Sequence, residues 1–191
     1  MHRRTGPLLL LTAAAVLTTP GCGSNSQGAR DTSAATEAAA ATPPAITRTI
    51  NESSICELLS ASQQEDIGVA EATPDTDDGY VSCYYSMTLD DDPDPTGYEV
   101  TVFDSVKALR DTVDGTDVMP TKALPLQLDG RSAVEQITYG DQWSAAVTVD
   151  LGRGRYLYVE KYAKGHSVSE KELSQQARGT AKKVLRHLLA R

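Results

Sequence analysis

The hydrophobic pattern divides the chain into three stretches. Pro7 to Leu17 is an unbroken apolar run behind His2, Arg3 and Arg4, too short to span a bilayer as a helix, and it reads as the core of an export signal ending at residue 21. From 22 to 49 the periodicity vanishes into Ala, Ser, Thr, Gly, Gln and Pro, with Ile46 the sole large apolar residue, the composition of a flexible tether with a mean reach of roughly 30 Å. From residue 50 ordered patterns return, so a single domain is expected over 50–191.

Within that domain Ser54-Ile55-Cys56-Glu57-Leu58-Leu59 reads as a short helical stretch. Ser60 and Gln63 form a capping box for a second short helix that stops at Gly68. Pro74 to Gly79 is composed like a turn. In Val81 to Met87, Val81, Cys83, Tyr85 and Met87 share one strand face and Tyr84 lies on the other. The loop Asp90 to Gly97 leads to a second alternating run, Tyr98 to Phe103, and the two predict a hairpin. Ser105 can cap a helix carrying Val106, Leu109 and Val113 up to Gly115. After the proline-containing passage 120–125, three further strands are predicted at Ser132–Thr138, Gln142–Leu151 and Tyr156–Tyr162. Leu173, Ala177, Ala181, Val184, Leu185 and Leu188 stripe a final helix from Glu170 to Ala190, opened by Ser169. The expected fold is therefore α+β: an antiparallel sheet of about five strands covered by N-terminal, middle and C-terminal helices, a layered sandwich.

Charge narrows the partners. The formal net charge is −8, and loss of Arg3 and Arg4 with residues 1–21 leaves 16 basic against 26 acidic groups, or −10. Nucleic acid and anionic lipid surfaces, which reward clustered Lys and Arg, are disfavoured.

Cys22 follows Thr18-Thr19-Pro20-Gly21 directly behind the apolar run. That is the place of the cysteine in a bacterial lipobox, where the thiol receives diacylglycerol before cleavage. Thr19 departs from the usual aliphatic residue and Pro20 is an uncommon neighbour. The expectation is an extracytoplasmic protein anchored to the outer face of the cell membrane by lipid on Cys22. Ordinary secretion, with Cys22 a free thiol, is the alternative. Setting Cys22 aside leaves Cys56 and Cys83, which an oxidising compartment would join into a disulfide. Their separation of 27 positions does not suit a Cys-x-x-Cys redox motif.

Catalytic chemistry finds little support. Only His166 and His187 survive signal cleavage, and no nucleophile elbow, phosphate loop, dinucleotide fingerprint or zinc spacing is present. No catalytic residue, metal or cofactor is assigned. Asp75, Asp77 and Asp78 superficially suggest a calcium loop, but Gly79 and Tyr80 stand where an acid or amide and a glycine belong. Asp90, Asp91 and Asp92 share their loop with two prolines and no motif. A calcium-dependent or enzymatic envelope protein using these acidic loops is the rival reading. Tyrosine is a further signal: eight Tyr stand against one Phe and one Trp. Tyr156, Tyr158 and Tyr162 share a strand face, and with Tyr84 they could bind an envelope protein or small molecule. Such residues could equally form the half-buried outer side of a sheet or lie beneath a helix.

Ile55-Cys56-Glu57-Leu58-Leu59-Ser60, the short helix to Gly68, Ser82-Cys83-Tyr84-Tyr85 and the amphipathic last helix behind a lipoprotein signal resemble the actinobacterial lipoproteins of the domain of unknown function 3558 family. The likeness covers about 50–190. Members with a second cysteine pair toward the C-terminus differ from this chain, which has none there. The resemblance implies a surface-exposed lipoprotein without an assigned activity. The element order is also similar to the layered antiparallel sheets of the PsbP type, which serve as binding and assembly modules; that is an analogy of fold.

Overall fold

The computed structural model describes residues 43–87, 96–114, 122–140, 142–164 and 168–190, all inside one compact unit, Ala40–Arg191. Its elements are α1 (Glu52–Ile55) running into a 3-10 turn (Cys56–Leu58), α2 (Ala61–Asp66), β1 (Glu71–Asp77), β2 (Tyr80–Ser86), β3 (Gly97–Phe103), α3 (Val106–Asp114), β4 (Lys122–Leu128), β5 (Arg131–Thr138), β6 (Gln142–Gly152), β7 (Arg155–Lys164) and α4 (Glu170–Leu189). The strands form one antiparallel sheet in the order β1-β2-β3-β7-β6-β5-β4. The α+β class holds.

The sheet has seven strands where five were expected. The two additions, β1 and β4, are its edges, and each contains a proline, Pro74 opposite Cys83 and Pro125 opposite Val134. Proline cannot donate to the ladder, but at an edge one side of the strand has no ladder to join. The stretch composed like a turn is therefore mostly strand. Only Asp78 and Gly79 turn the chain, with Gly79 at φ +92°, a conformation that side chains resist.

One face of the sheet carries Val81, Cys83, Tyr85, Val100, Val102, Leu157, Val159, Ala145, Val147 and Val149, all buried. The predicted stripe of α4, from Leu173 to Leu188, is buried with them in one hydrophobic cluster. Ser169 caps α4 by accepting from the Glu172 amide at 3.3 Å. At its start Glu170 accepts from Tyr139 at 2.5 Å and pairs with Lys122 at 3.1 Å, fastening the helix to β4 and to the end of β5. The capping box of α2 forms in both directions, Gln63 N to Ser60 Oγ at 3.3 Å and Ser60 N to Gln63 Oε1 at 2.9 Å. Cys56 and Cys83 are joined by a disulfide, Cα to Cα 5.2 Å, which staples the 3-10 turn to β2. α3 adjoins β3 and β7.

Order also begins before residue 50. Ile46 is buried and its amide donates to the Leu151 carbonyl at 2.9 Å. Arg155 reaches the carbonyls of Ile46 and Arg48 at 3.3 and 2.9 Å, and Arg131 donates to that of Pro44.

Three buried ionisable groups interrupt the apolar face: Arg131, already seen on the Pro44 carbonyl, Glu135 and Lys161. Glu135 on β5 is 1% exposed but accepts from Ser174 at 2.6 Å and from both ends of the Arg178 guanidinium. Burial alone would raise its pKa; Arg178 and Ser174 outweigh burial and hold it below the ordinary value. Lys161 on β7, also 1% exposed, has no such partner. Its ammonium meets Met87 Sδ at 2.9 Å and the Tyr98 ring at 4.6 Å, and burial pushes its pKa down to about 8.

Candidate functional site

The other face of the same strands collects the tyrosines. Strand alternation places Tyr80, Ser82 and Tyr84 of β2, Glu99, Thr101 and Phe103 of β3, and Tyr156, Tyr158, Glu160 and Tyr162 of β7 on the side away from Cys83, Val100 and Val159. Antiparallel register turns these into rows across the sheet. Tyr84 lies opposite Glu99, and Glu99 opposite Glu160. In the adjacent row Asp75, Ser82, Thr101 and Tyr158 are successive partners.

The central feature is a pair of like charges on neighbouring strands. Directly opposed side chains approach to about 5 Å, a placement that repels when both are carboxylates. Neither Glu99 nor Glu160 forms an ion pair with a described residue. Each has a hydroxyl donor instead: Thr101 Oγ1 to Glu99 Oε1 at 2.6 Å, and Tyr158 OH to Glu160 Oε2 at 3.0 Å. Burial raises the Glu99 pKa, and Glu160 and Asp75 add to the rise against the Thr101 hydrogen bond. On this face of β2, β3 and β7 the only basic residue is Lys164, at the end of β7 and engaged with a partner of its own.

Aromatic rings bound the acidic pair. Tyr162 lies against Gly97 of β3: a Cβ there would stand 2.7 Å from the tyrosine hydroxyl and 2.4 Å from the Tyr85 carbonyl oxygen. The ring therefore occupies space that any side chain at position 97 would fill. On the other side Tyr158 packs edge-on to Phe103 at 6.3 Å, and Phe103 packs on Tyr80 at 5.7 Å. Tyr84 is 38% exposed and its pKa is pushed up to about 12, by burial first and then by Glu99. Burial with Glu160 raises Tyr158, and burial with Glu99 and Glu160 raises Tyr162. All three phenols stay neutral near pH 7 and keep their electron-rich faces.

Beneath them Ser82 is fully buried, and its Oγ finds no hydrogen-bond partner among the described residues. Its hydroxyl lies beside that of Tyr84 and moderates the rise in the Tyr84 pKa.

The structure thus brings Tyr84, Tyr158 and Tyr162 around one acidic centre, while Tyr156 lies further along β7, opposite Phe103. Glu99, Glu160, Ser82 and Thr101 were not singled out by sequence reasoning. Glu160 was within reach of it, since Tyr158-Val159-Glu160-Lys161-Tyr162 puts the acid between two tyrosines on one face. Glu99 was not, because its position depends on β3 pairing with β7.

Other candidates resolve differently. Asp75 and Asp77 lie along edge strand β1, and among the described residues no group of three or more His, Cys, Asp or Glu is placed to hold a metal ion. Asp90, Asp91, Asp92, His166 and Cys22 lie outside the described residues. His187 lines a shallow cavity of about 370 Å³ with Ser60, Gln63, Lys183, Arg186 and Ala190. Ser60 and Gln63 cap each other's backbone there, Arg186 pairs with Asp129 at 3.5 Å, and the basic side chains complement the carbonyl end of α4. No described helix is long and apolar enough to cross a membrane.

No protein-family model matches the chain, and no curated protein matches it.

Proposed function

We propose that the chain is a lipoprotein tethered through Cys22 to the outer face of the cell membrane, acting as a noncatalytic binding or accessory module in the envelope. It would be a relative of the domain of unknown function 3558 lipoproteins, with a layered build of the PsbP type. The observation that carries the binding role is the half-buried polar face on which Tyr84, Tyr158 and Tyr162 surround Glu99 and Glu160. A domain that needs this face only for stability gains nothing from opposing two carboxylates there. The Cys56–Cys83 disulfide suits an oxidising compartment, which supports export. Because the chain is fastened to the sheet from Pro44, the tether on this reading runs from Cys22 to about residue 43.

Metabolic labelling with a fatty acid should mark the wild type and not Cys22→Ala, and only the latter should be released into the medium. Equal release of both overturns the tether. For the binding role, a photoreactive aromatic amino acid at position 84 should capture a neighbour on intact cells, while the same group at Leu189, exposed on α4, should not. Equal capture from both positions overturns the assignment of the face.

A further inference from the structure

We propose that Met87 is a site of oxidation by hydrogen peroxide, and that the buried Lys161 ammonium receives the sulfoxide oxygen, so that oxidation tightens this fold instead of loosening it. The inference is independent of any binding role of the tyrosine face.

Lys161 carries three donors into the core, and its only hydrogen-bond acceptor among the described residues is the Met87 sulfur at 2.9 Å. A thioether is a weak acceptor. No described carboxylate comes within ion-pair distance of the ammonium, and its other near neighbour is the Tyr98 ring at 4.6 Å. Met87 itself is held in place. Its amide donates to the Thr96 carbonyl at 2.9 Å, and a Cβ on Gly68 would stand 3.6 Å from its methyl group. The side chain therefore lies with its methyl beside Gly68 and its sulfur against Lys161. Unlike Lys161, Met87 is partly exposed, so a small oxidant can reach it from solvent.

In the reaction a sulfur lone pair not engaged by the ammonium attacks one peroxide oxygen. The S–O bond forms as the O–O bond breaks, and the departing hydroxide takes the proton from the transferred oxygen. The sulfur is oxidised by two electrons, and the peroxide leaves as one water. In an apolar core a sulfoxide disrupts packing because it is polar. Here its oxygen sits one bond from a sulfur already at hydrogen-bonding distance from a buried cation, on a side chain with three rotatable bonds. The ammonium gains a charge-assisted hydrogen bond to oxygen in place of a weak one to sulfur. A leucine at this position would fill similar space and leave Lys161 without an acceptor, whereas a glutamate would pair it permanently. Methionine makes the pairing conditional on oxidant.

The test treats the purified full-length chain with hydrogen peroxide, reads Met87 conversion by peptide mass spectrometry and follows the melting temperature. In the wild type Met87 should convert in the folded state, and the melting temperature should rise by about 3 °C. In Lys161→Met the same conversion should lower it, because the sulfoxide then meets no buried donor. Met87→Leu, in which only Met1 and Met119 remain to react, supplies the shift to be subtracted. Met87→Gln offers an amide oxygen without any oxidant. It should be more stable than Met87→Leu beside Lys161 and less stable than Met87→Leu in the Lys161→Met background, a reversal that packing alone does not produce. Should Lys161→Met fail to fold, the comparison of Gln with Leu beside Lys161 decides. A fall in the wild-type melting temperature on Met87 oxidation, an equal change with and without Lys161, a Met87→Gln variant no more stable than Met87→Leu, or a Met87 that reacts only after unfolding in urea overturns the proposal.

Discussion

The two faces of one sheet are built from alternate residues of the same strands, yet they treat charge in opposite ways. On the helix-covered face Glu135 is matched by Arg178 and Ser174, and Lys161 is tolerated among Met87 and Tyr98 at the cost of a depressed pKa. On the tyrosine face Glu99 and Glu160 oppose each other without a described counter-ion. The first face spends its polar groups on closing the core. The second leaves two carboxylates opposed, each held by a hydroxyl donor rather than a cation.

The contrast can be broken at several points, in descending order of effect. Leu185→Ala, at a fully buried position of α4, should lower stability by about 3 kcal/mol in urea denaturation, whereas Thr148→Ala on the opposite face should change it by less than about 1 kcal/mol. Arg178→Ala should cost about 2 to 3 kcal/mol because it strands the buried Glu135 carboxylate. The double replacement Glu135→Leu/Arg178→Met should recover most of that loss. Were the single and double variants equally unstable, packing of the arginine stem rather than charge pairing would account for the loss.

Lys161→Met should stabilise the protein by roughly 2 kcal/mol at pH 7. The folded pKa of Lys161, about 8, lies below the ordinary lysine value near 10.5, so the folded state disfavours the charged form. That penalty is present in full below pH 8 and fades as pH rises toward the unfolded value. The advantage of the methionine variant over the wild type should therefore shrink between pH 8 and 10, as followed by melting temperature. An advantage independent of pH would remove Lys161 ionisation from the account. The smallest effect belongs to the other face: Glu160→Gln should raise stability by less than about 1 kcal/mol, since it only relieves repulsion at a half-exposed position. A clear loss instead would mean that Glu160 supports the fold through Tyr158.

Legibility followed position in the sheet. The five strands read from the sequence are the interior ones, whose successive side chains alternate between the α4-covered core and the opposite face. The two that were missed are edges, each broken by one proline, Pro74 or Pro125, which an edge tolerates because it does not need a full row of donors; β1 also carries Glu71, Asp75 and Asp77, which made it resemble a turn. The α2 capping box and the α4 stripe were readable because both are local, set by residues three and four apart. Ile46 looked like the one apolar residue of a tether, and only the Leu151 carbonyl of β6 and the Arg155 guanidinium of β7 give it a place.

The site was half legible for the same reason. By itself the chain determined that Tyr156, Tyr158 and Tyr162 share a face, that Tyr84 points away from Cys83, and that Cys56 and Cys83 are free to pair. Only the tertiary structure decided that β7 returns to lie beside β3, which sets Glu99 against Glu160 and lays Tyr162 across Gly97. Alternation is a property of each strand alone. The register between strands more than fifty residues apart is settled by packing the whole sheet beneath α4, and a slip of one residue would send every one of these side chains to the opposite face.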